Sequence, residues 1–192
     1  EQITAENLIR GLMIPSGNDS AAVVAASVVK KKENNNNLSS DECIAEFAKI
    51  MNEKAKELGC TNSHFANPSG LQDENHYTTV YDIYLMLQEA MTYPHFLEIA
   101  QLSSYNLTAT RGDQEVTFHL DSTDQYLTRQ VTAPKNVTVL GGKTGTTSDA
   151  GSCLVLLSQN AYGEPYISIV LHAANKTNLY TYMNQLLSAI NQ

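Results

Sequence analysis

The sequence predicts an α+β fold in which helices come first and an antiparallel sheet, closed by one more helix, comes last. Three observations carry this. From Thr4 to about residue 101, apolar residues recur at helical spacing in segments punctuated by capping residues, glycine and proline. At Ser104 the period shortens, and two alternating runs flank Arg111-Gly112-Asp113. From Val137 onward, three apolar, β-branched runs precede a final amphipathic stretch. No repeat appears, and 192 residues with 42% hydrophobic content suffice for one core. One domain over residues 1–192 is therefore expected, with a helical part at about 4–101, a hairpin at about 104–120, and a sheet with its C-terminal helix at about 137–192.

Thr4 is placed to cap the first helix, Leu8, Ile9, Leu12 and Met13 give it an apolar stripe, and Pro15 stops it. The polar turn Ser16-Gly17-Asn18-Asp19-Ser20 leads into a second helix, Ala21 to about Val29. That helix is apolar on every side, which predicts burial. Within the turn, Asn18 or Asp19 either caps the second helix or is held for a ligand. Residues 33–40, with four asparagines in a row, read as a surface loop. Ser39 and Glu42 have capping-box spacing for a helix from Asp41 to Leu58, whose inner face is Ile44, Phe47, Ala48, Met51, Ala55 and Leu58. Gly59 ends it. Residues 60–77 are irregular around the turn cluster Asn67-Pro68-Ser69-Gly70. Thr78 or Thr79 caps the next helix, Tyr93-Pro94 breaks it, and a short helix reaches about Ala100.

The Arg-Gly-Asp tripeptide in isolation suggests adhesion, but a hairpin turn between Ser104–Thr110 and Glu115–Leu120 accounts for it. Residues 121–136 read as a loop with room for one helical turn. The strand leading to Lys143-Thr144-Gly145 follows, then strands at Ser152–Asn160 and Pro165–Ala173 joined by a tight turn at Tyr162-Gly163-Glu164. A helix from Asn178 to Ile190 closes the chain, with Leu179, Tyr182, Met183, Leu186, Leu187 and Ile190 inward.

Composition excludes several classes. Twelve Lys and Arg against twenty Asp and Glu give a net charge of −8, which argues against a nucleic-acid partner. Lys30-Lys31-Lys32 beside Glu33 reads as a solvated helix end. No apolar run has the length of a membrane span. No signal peptide is present, and an opening Glu1-Gln2 without Met reads as a processed end. Three widely spaced cysteines, Cys43, Cys60 and Cys153, form neither a disulfide framework nor a metal motif and are expected as small buried hydrophobes. No two of the five histidines have the spacing of a helical metal pair, so neither a metal nor a cofactor is expected.

Chemistry concentrates in Val137–Thr147. Glycines inside a strand pattern mark a place where a ligand or another backbone comes close. Lys143 puts a positive charge there, and Thr144, Thr146 and Thr147 add hydroxyl donors. Such an edge suits an anionic, peptide-like substrate bound by strand addition. The bland alternative is a tight turn with an exposed lysine.

Together, Ser16-Gly17-Asn18 between apolar helices and Lys143-Thr144-Gly145 at the first of three strands resemble the S-x-N and K-T-G signatures of the serine penicillin-recognising enzymes. Leu8–Ala21, Met51–Gly59, Thr61–Leu71, Gly142–Thr147 and Gly151 resemble more closely the low-molecular-weight D-alanyl-D-alanine carboxypeptidases, and the likeness runs from Thr4 to Asn184. The resemblance implies a β-lactamase/transpeptidase-like fold whose N-terminal strands and central helix lie outside this chain. It implies a serine-type penicillin-binding protein of the bacterial cell envelope, or a secreted one, that trims peptidoglycan stem peptides ending in D-Ala-D-Ala. β-Lactams would bind the intact protein. Ser16 would relay protons to the leaving amine with help from Lys143. Asn18 would hydrogen-bond the substrate amide and steady a general-base lysine. Lys143 would supply positive potential and polarise Ser16. The Thr144 and Thr146 hydroxyls would bind the terminal carboxylate, the Thr146 N–H would form half of an oxyanion hole, and Gly145 would let the substrate strand lie against the sheet.

The chain departs from the pattern in two places. The family's S-x-x-K lies upstream of S-x-N, yet the fifteen residues before Ser16 hold no serine. Ser27-Val28-Val29-Lys30 fits the letters in the wrong order and on an apolar helix. An arginine that often assists carboxylate binding after the last strand has no counterpart, and Lys176 is the nearest cation. The chain alone is therefore expected not to turn substrate over. Two other readings are a class A β-lactamase, for which Asp73-Glu74-Asn75 offers the acidic candidates, and a non-catalytic peptidoglycan-binding module. With the N-terminal elements outside the chain, Tyr166–Leu171 is expected as an unpaired edge strand, and the Ala21–Val29 helix as carrying exposed apolar surface. Both favour an oligomer, an exchanged segment or a separate partner.

Overall fold

A computed structural model describes residues 2–190. The chain begins with α1 (Ala5–Met13), capped by Thr4, whose side chain accepts from the Asn7 amide. The turn at Ile14–Gly17 then leads into α2 (Asn18–Lys32). α3 (Ser40–Glu57) opens on the capping box of Ser39 and Glu42 and ends at Gly59, whose φ of 83° calls for glycine. α4 (Val80–Ala90) is capped by Thr79, and α5 (Pro94–Ala100) starts on the proline itself. β1 (Ser104–Arg111) and β2 (Gln114–Asp121) form an antiparallel hairpin in which Arg111 pairs with Gln114 across Gly112-Asp113, so the tripeptide belongs to a turn. β3 (Thr138–Thr147), β4 (Gly151–Gln159) and β5 (Pro165–Ala173) make an antiparallel sheet in that order, and α6 (Lys176–Ala189) packs on it. The α+β reading, helices first and sheet last, is the fold observed.

The core lies between α6 and the inner face of the sheet. Leu154, Leu156, Val170 and Ala173 meet Leu179, Tyr180, Met183 and Leu187, and Tyr126 closes the cluster edge-on to Tyr180 at 5.2 Å. Each such side chain contributes roughly 1.5–3 kcal/mol by leaving water. In the helical part, α2 buries its small residues Ala21 and Ala25 together with Val29, which lets α1 and α3 pack closely on it. α1 is tied to the hairpin by Asn7, whose amide donates to the Thr108 carbonyl at 3.0 Å, and by Arg10, stacked 4.4 Å over the Tyr105 ring.

The structure corrects four expectations. α2 starts at Asn18 and is not buried all round: Val23 is 46% exposed and Val28 42%. A helix apolar on every side needs packing partners on every side, and among the described residues α2 has them on one side. On α6 the inward tyrosine is Tyr180, which meets Tyr126, while Tyr182 and Leu186 face out, and the buried stripe is 179, 180, 183 and 187. Cys43 and Cys60 are buried, but Cys153 near the start of β4 is only half-buried. Asn18 does not cap α2, since Gly17 occupies the cap position.

Candidate active site

β3 is positioned by the absence of side chains. A Cβ on Gly141 would lie 2.8 Å from the Ala100 carbonyl oxygen, and one on Gly142 would lie 2.6 Å from the Val155 oxygen, so α5 and β4 hold the strand tightly just before Lys143. Gly145 differs, because nothing lies within 4 Å of the Cβ it lacks. Packing does not require glycine there, and the bare backbone leaves the outer edge of β3 open.

Opposite β3 stands the α1–α2 turn. Ile14, almost fully buried, donates its amide to Arg10 O at 2.9 Å, and the Gly17 amide reaches back to Gly11 O at 3.0 Å. Between these anchors Ser16 is held at φ 60°, a left-handed conformation that costs a non-glycine residue about 1–3 kcal/mol. That backbone turns its hydroxyl toward β3, where it accepts a hydrogen bond from Lys143 Nζ. Lys143 Nζ also donates to Thr144 O at 2.8 Å. Burial pushes the Lys143 ammonium down to about 8, near enough to neutrality to exchange a proton. Asn18, at the start of α2, points an exposed side chain at the same cleft.

The segment before β3 ties these parts together. The Thr123 amide donates to Ile14 O at 3.3 Å, and its hydroxyl is 2.5 Å from that of Thr144. The next residue, Asp124, is buried behind β3. Its Oδ1 accepts from the Tyr126 amide, its Oδ2 has no partner, and burial raises its pKa.

The far wall is the irregular stretch after α3. Asn67 organises it: Oδ1 accepts from the amides of Ser69, Gly70 and Leu71, and Nδ2 donates to Leu71 O. Asn52 brackets Phe65 through both of its backbone groups, and Phe65 stands edge-on to His76. Burial lowers the His76 pKa, in keeping with a neutral ring that accepts from the Ala66 amide. Thr147 donates to Gln72 Oε1 at 2.8 Å, strapping this wall to the end of β3.

The cleft between these walls has a volume of about 670 Å³. Ser16, Asn18, Lys143, Thr144, Gly145 and Thr146 all line it, although Ser16 and Lys143 are 127 residues apart in the chain. Ser27 is elsewhere, exposed on α2 with its hydroxyl on Val23 O. Motif reading did not pick out Thr123, His76 or Asn67. Only the turn cluster at 67–70 gave a signal for any of them.

Comparison with known proteins identifies the family and the fold. The profile of the D-alanyl-D-alanine carboxypeptidase family matches residues 1–175. The chain is 32% identical over 154 residues to D-alanyl-D-alanine carboxypeptidase DacF of Bacillus subtilis, covering 80% of this chain and 34% of that protein. A variant of a Streptomyces DD-transpeptidase superimposes with a TM-score of 0.83 at 23% identity, covering 96% of this chain and 67% of that one. Penicillin-binding protein D2 of Listeria monocytogenes, solved in a cefotaxime-bound form, superimposes with a TM-score of 0.71 at 25% identity, covering 97% of this chain and 66% of that one. The chain thus spans about a third of the curated relative and two-thirds of the solved structures. With the family profile running through α1, the cleft walls and all three strands of the sheet, this chain belongs to the D-alanyl-D-alanine carboxypeptidase family.

Proposed function

We propose that this chain forms the substrate-binding and proton-handling part of a serine-type D-Ala-D-Ala carboxypeptidase that trims peptidoglycan stem peptides outside the bacterial cytoplasm. The observation that carries the reading is the Ser16–Lys143 contact beside an open strand edge. A stem peptide pairs with the outer edge of β3, its backbone passing over Gly145. Its terminal carboxylate lies at the hydroxyls of Thr144 and Thr146, in the potential of Lys143. Asn18 holds the amide of the penultimate residue. Ser16 hands a proton to the departing D-alanine nitrogen and is resupplied by Lys143, whose lowered pKa suits the transfer. The Thr146 N–H stabilises the oxyanion. β-Lactams, as mimics of the acyl donor, occupy the same cleft in the whole protein.

Acylation needs a nucleophilic serine with its own base. The Ser16 hydroxyl accepts from Lys143 rather than donating to it as a base, and that of Ser69 donates to Asn67 Oδ1, an amide oxygen. The 192-residue chain is therefore expected to bind peptide without forming an acyl-enzyme, and this arrangement keeps a binding module as the second reading. Neither Asp73 nor Glu74 lines the cleft, which leaves the β-lactamase reading without its deacylating acid. Intact-mass spectrometry after exposure to benzylpenicillin is the test. An unmodified mass is the expected result, and a covalent adduct on Ser16 or Ser27 would overturn the assignment of roles.

A further inference from the structure

The turn at residues 122–128 meets parts of the molecule that lie far apart in the chain. Through Thr123 it touches both halves of the site. The Thr123 amide donates to Ile14 O at 3.3 Å, two residues before Ser16, and its hydroxyl lies 2.5 Å from that of Thr144, next to Lys143. Its following residues tie it to α6. The Gln125 amide donates to the Tyr180 hydroxyl at 2.8 Å, and the Tyr126 hydroxyl donates to Asn184 Oδ1 at 2.8 Å.

Asp124 stands between these two sets of contacts and shapes the turn from within. Its amide donates to Ser122 Oγ at 3.2 Å, and its Oδ1 accepts from the Tyr126 amide at 2.9 Å. Its carbonyl accepts from the amide and the hydroxyl of Thr128, each at 3.1 Å. Oδ2 is placed differently. It lies 3.0 Å from the point a Cβ on Gly142 would occupy, on the core-facing side of β3 where Gly142 pairs with Leu156, and it has no hydrogen-bond partner. Asp124 is 1% exposed, so one oxygen of a fully buried carboxyl is pressed against a strand without a donor. Such an oxygen costs stability, and its presence calls for a role other than folding. The ionisable groups that face it are Tyr126 on the same turn and Tyr180 from α6. β4 carries no charged residue, and Lys143 belongs to the opposite face of β3, because successive strand residues alternate.

We propose that Asp124 is a positioning residue for the reaction: it clamps the 122–128 turn against the core side of β3 at Gly142, and so fixes Thr123, which sets the spacing between the Ser16 turn and the Thr144–Lys143 segment. The inference rests on the peptide reading above and adds the part that holds its two halves in register with α6.

Amide NMR of the 192-residue chain, alone and titrated with diacetyl-L-Lys-D-Ala-D-Ala, tests it. In the free chain Asp124→Ala is expected to shift the amides of Ser16, Thr123 and Thr144, and to raise the peptide Kd about tenfold. Asp124→Asn keeps the shape and the Oδ1 acceptor. It should keep all three signals and stay within about twofold of the unmodified Kd. Carboxyl-carbon NMR of isotopically labelled aspartate follows Asp124 through its own titration, which burial moves above the ordinary 3.8. The ratio of Kd values between the unmodified and Asp124→Asn chains should step over that same pH interval, because ionisation leaves a charge on an oxygen without a donor. A side chain that only filled space would give no step. Tyr126→Phe is the milder second variant. It removes the tie to Asn184 from outside the cleft lining, and should shift the Thr123 and Thr144 amides with the fold intact. If neither Asp124→Ala nor Tyr126→Phe moves these amides or the Kd, this assignment is wrong and the peptide reading stands. If the peptide leaves the β3 amides of the unmodified chain unshifted, the peptide reading fails and takes this assignment with it.

Discussion

At the scale of single residues, the site keeps groups that folding alone would not choose. Lys143 is the clearest case. Its folded pKa of about 8 lies below the ordinary value of 10.5, so between these values the unfolded chain holds more protons and stability rises with pH. Below pH 8 the buried charge is fully formed and its cost is constant. Lys143→Met is expected to raise stability at pH 7 by about 2 kcal/mol and to flatten the rise above pH 8. It should also abolish peptide binding. Urea denaturation at pH 7 and 9.5 reads the first effect and NMR titration the second. Asp124 has the opposite sign. Burial raises its pKa, so stability is lost as pH climbs from the ordinary 3.8 through the folded value, and the loss persists above it. Asp124→Asn should therefore gain about 1 kcal/mol at pH 7 and nothing at pH 3, as compared by denaturation at the two pH values. Ser16, Asn18 and Lys143 were legible in the sequence because each sits in a short motif between recognisable elements. Thr123 and Asp124 were not. They lie in a stretch without periodicity, and only the path of that loop brings Thr123 to Thr144.

At the scale of elements, capping chemistry was the most readable signal. Thr4, the Ser39–Glu42 box, Thr79 and Pro94 each set a boundary within a residue or two, since each acts on its own neighbours. Helix faces were less readable. Tyr182 and Tyr180 both fit an apolar stripe, and the choice depends on Tyr126, which meets Tyr180 from a distant loop. The same holds for the wall at 61–79. Its turn residues announced an irregular segment, but not that Asn67 and Thr147 would shape one side of the cleft. Asn67→Ala removes the acceptor for three consecutive amides, a loss of about 1–2 kcal/mol confined to this wall. Hydrogen exchange at Ser69, Gly70 and Leu71 should accelerate about tenfold, and peptide affinity should fall, with the β4 amides unaffected. Unchanged exchange at these three positions would show that the wall is held by other contacts.

At the scale of the whole molecule, the two ends of the sheet differ in meaning. The open edge of β3 faces the cleft. β5 is paired with β4 alone, and its other edge has no strand partner among the described residues. The molecule also carries exposed apolar side chains and an apolar cavity. Val23 and Val28 are exposed on α2. An apolar cavity of about 680 Å³ lies among the helices, with Ile9, Phe47, Ile50 and Met86 in its lining, and it shares Met51 and Phe65 with the cleft. The solved relatives carry further polypeptide on the same frame. An edge without a second strand partner, with half-buried Ile167, Ile169 and Leu171, together with an apolar cavity among the helices, offers a template for another chain. The 192-residue chain by itself is therefore expected to self-associate at micromolar concentration. Light scattering should show a mass that grows with concentration, and amides from Ile167 to Leu171 should exchange freely when dilute and become protected as the mass grows. A monomer at all concentrations with those amides protected would mean that the chain closes its own sheet, and the β5 edge would then carry no partner.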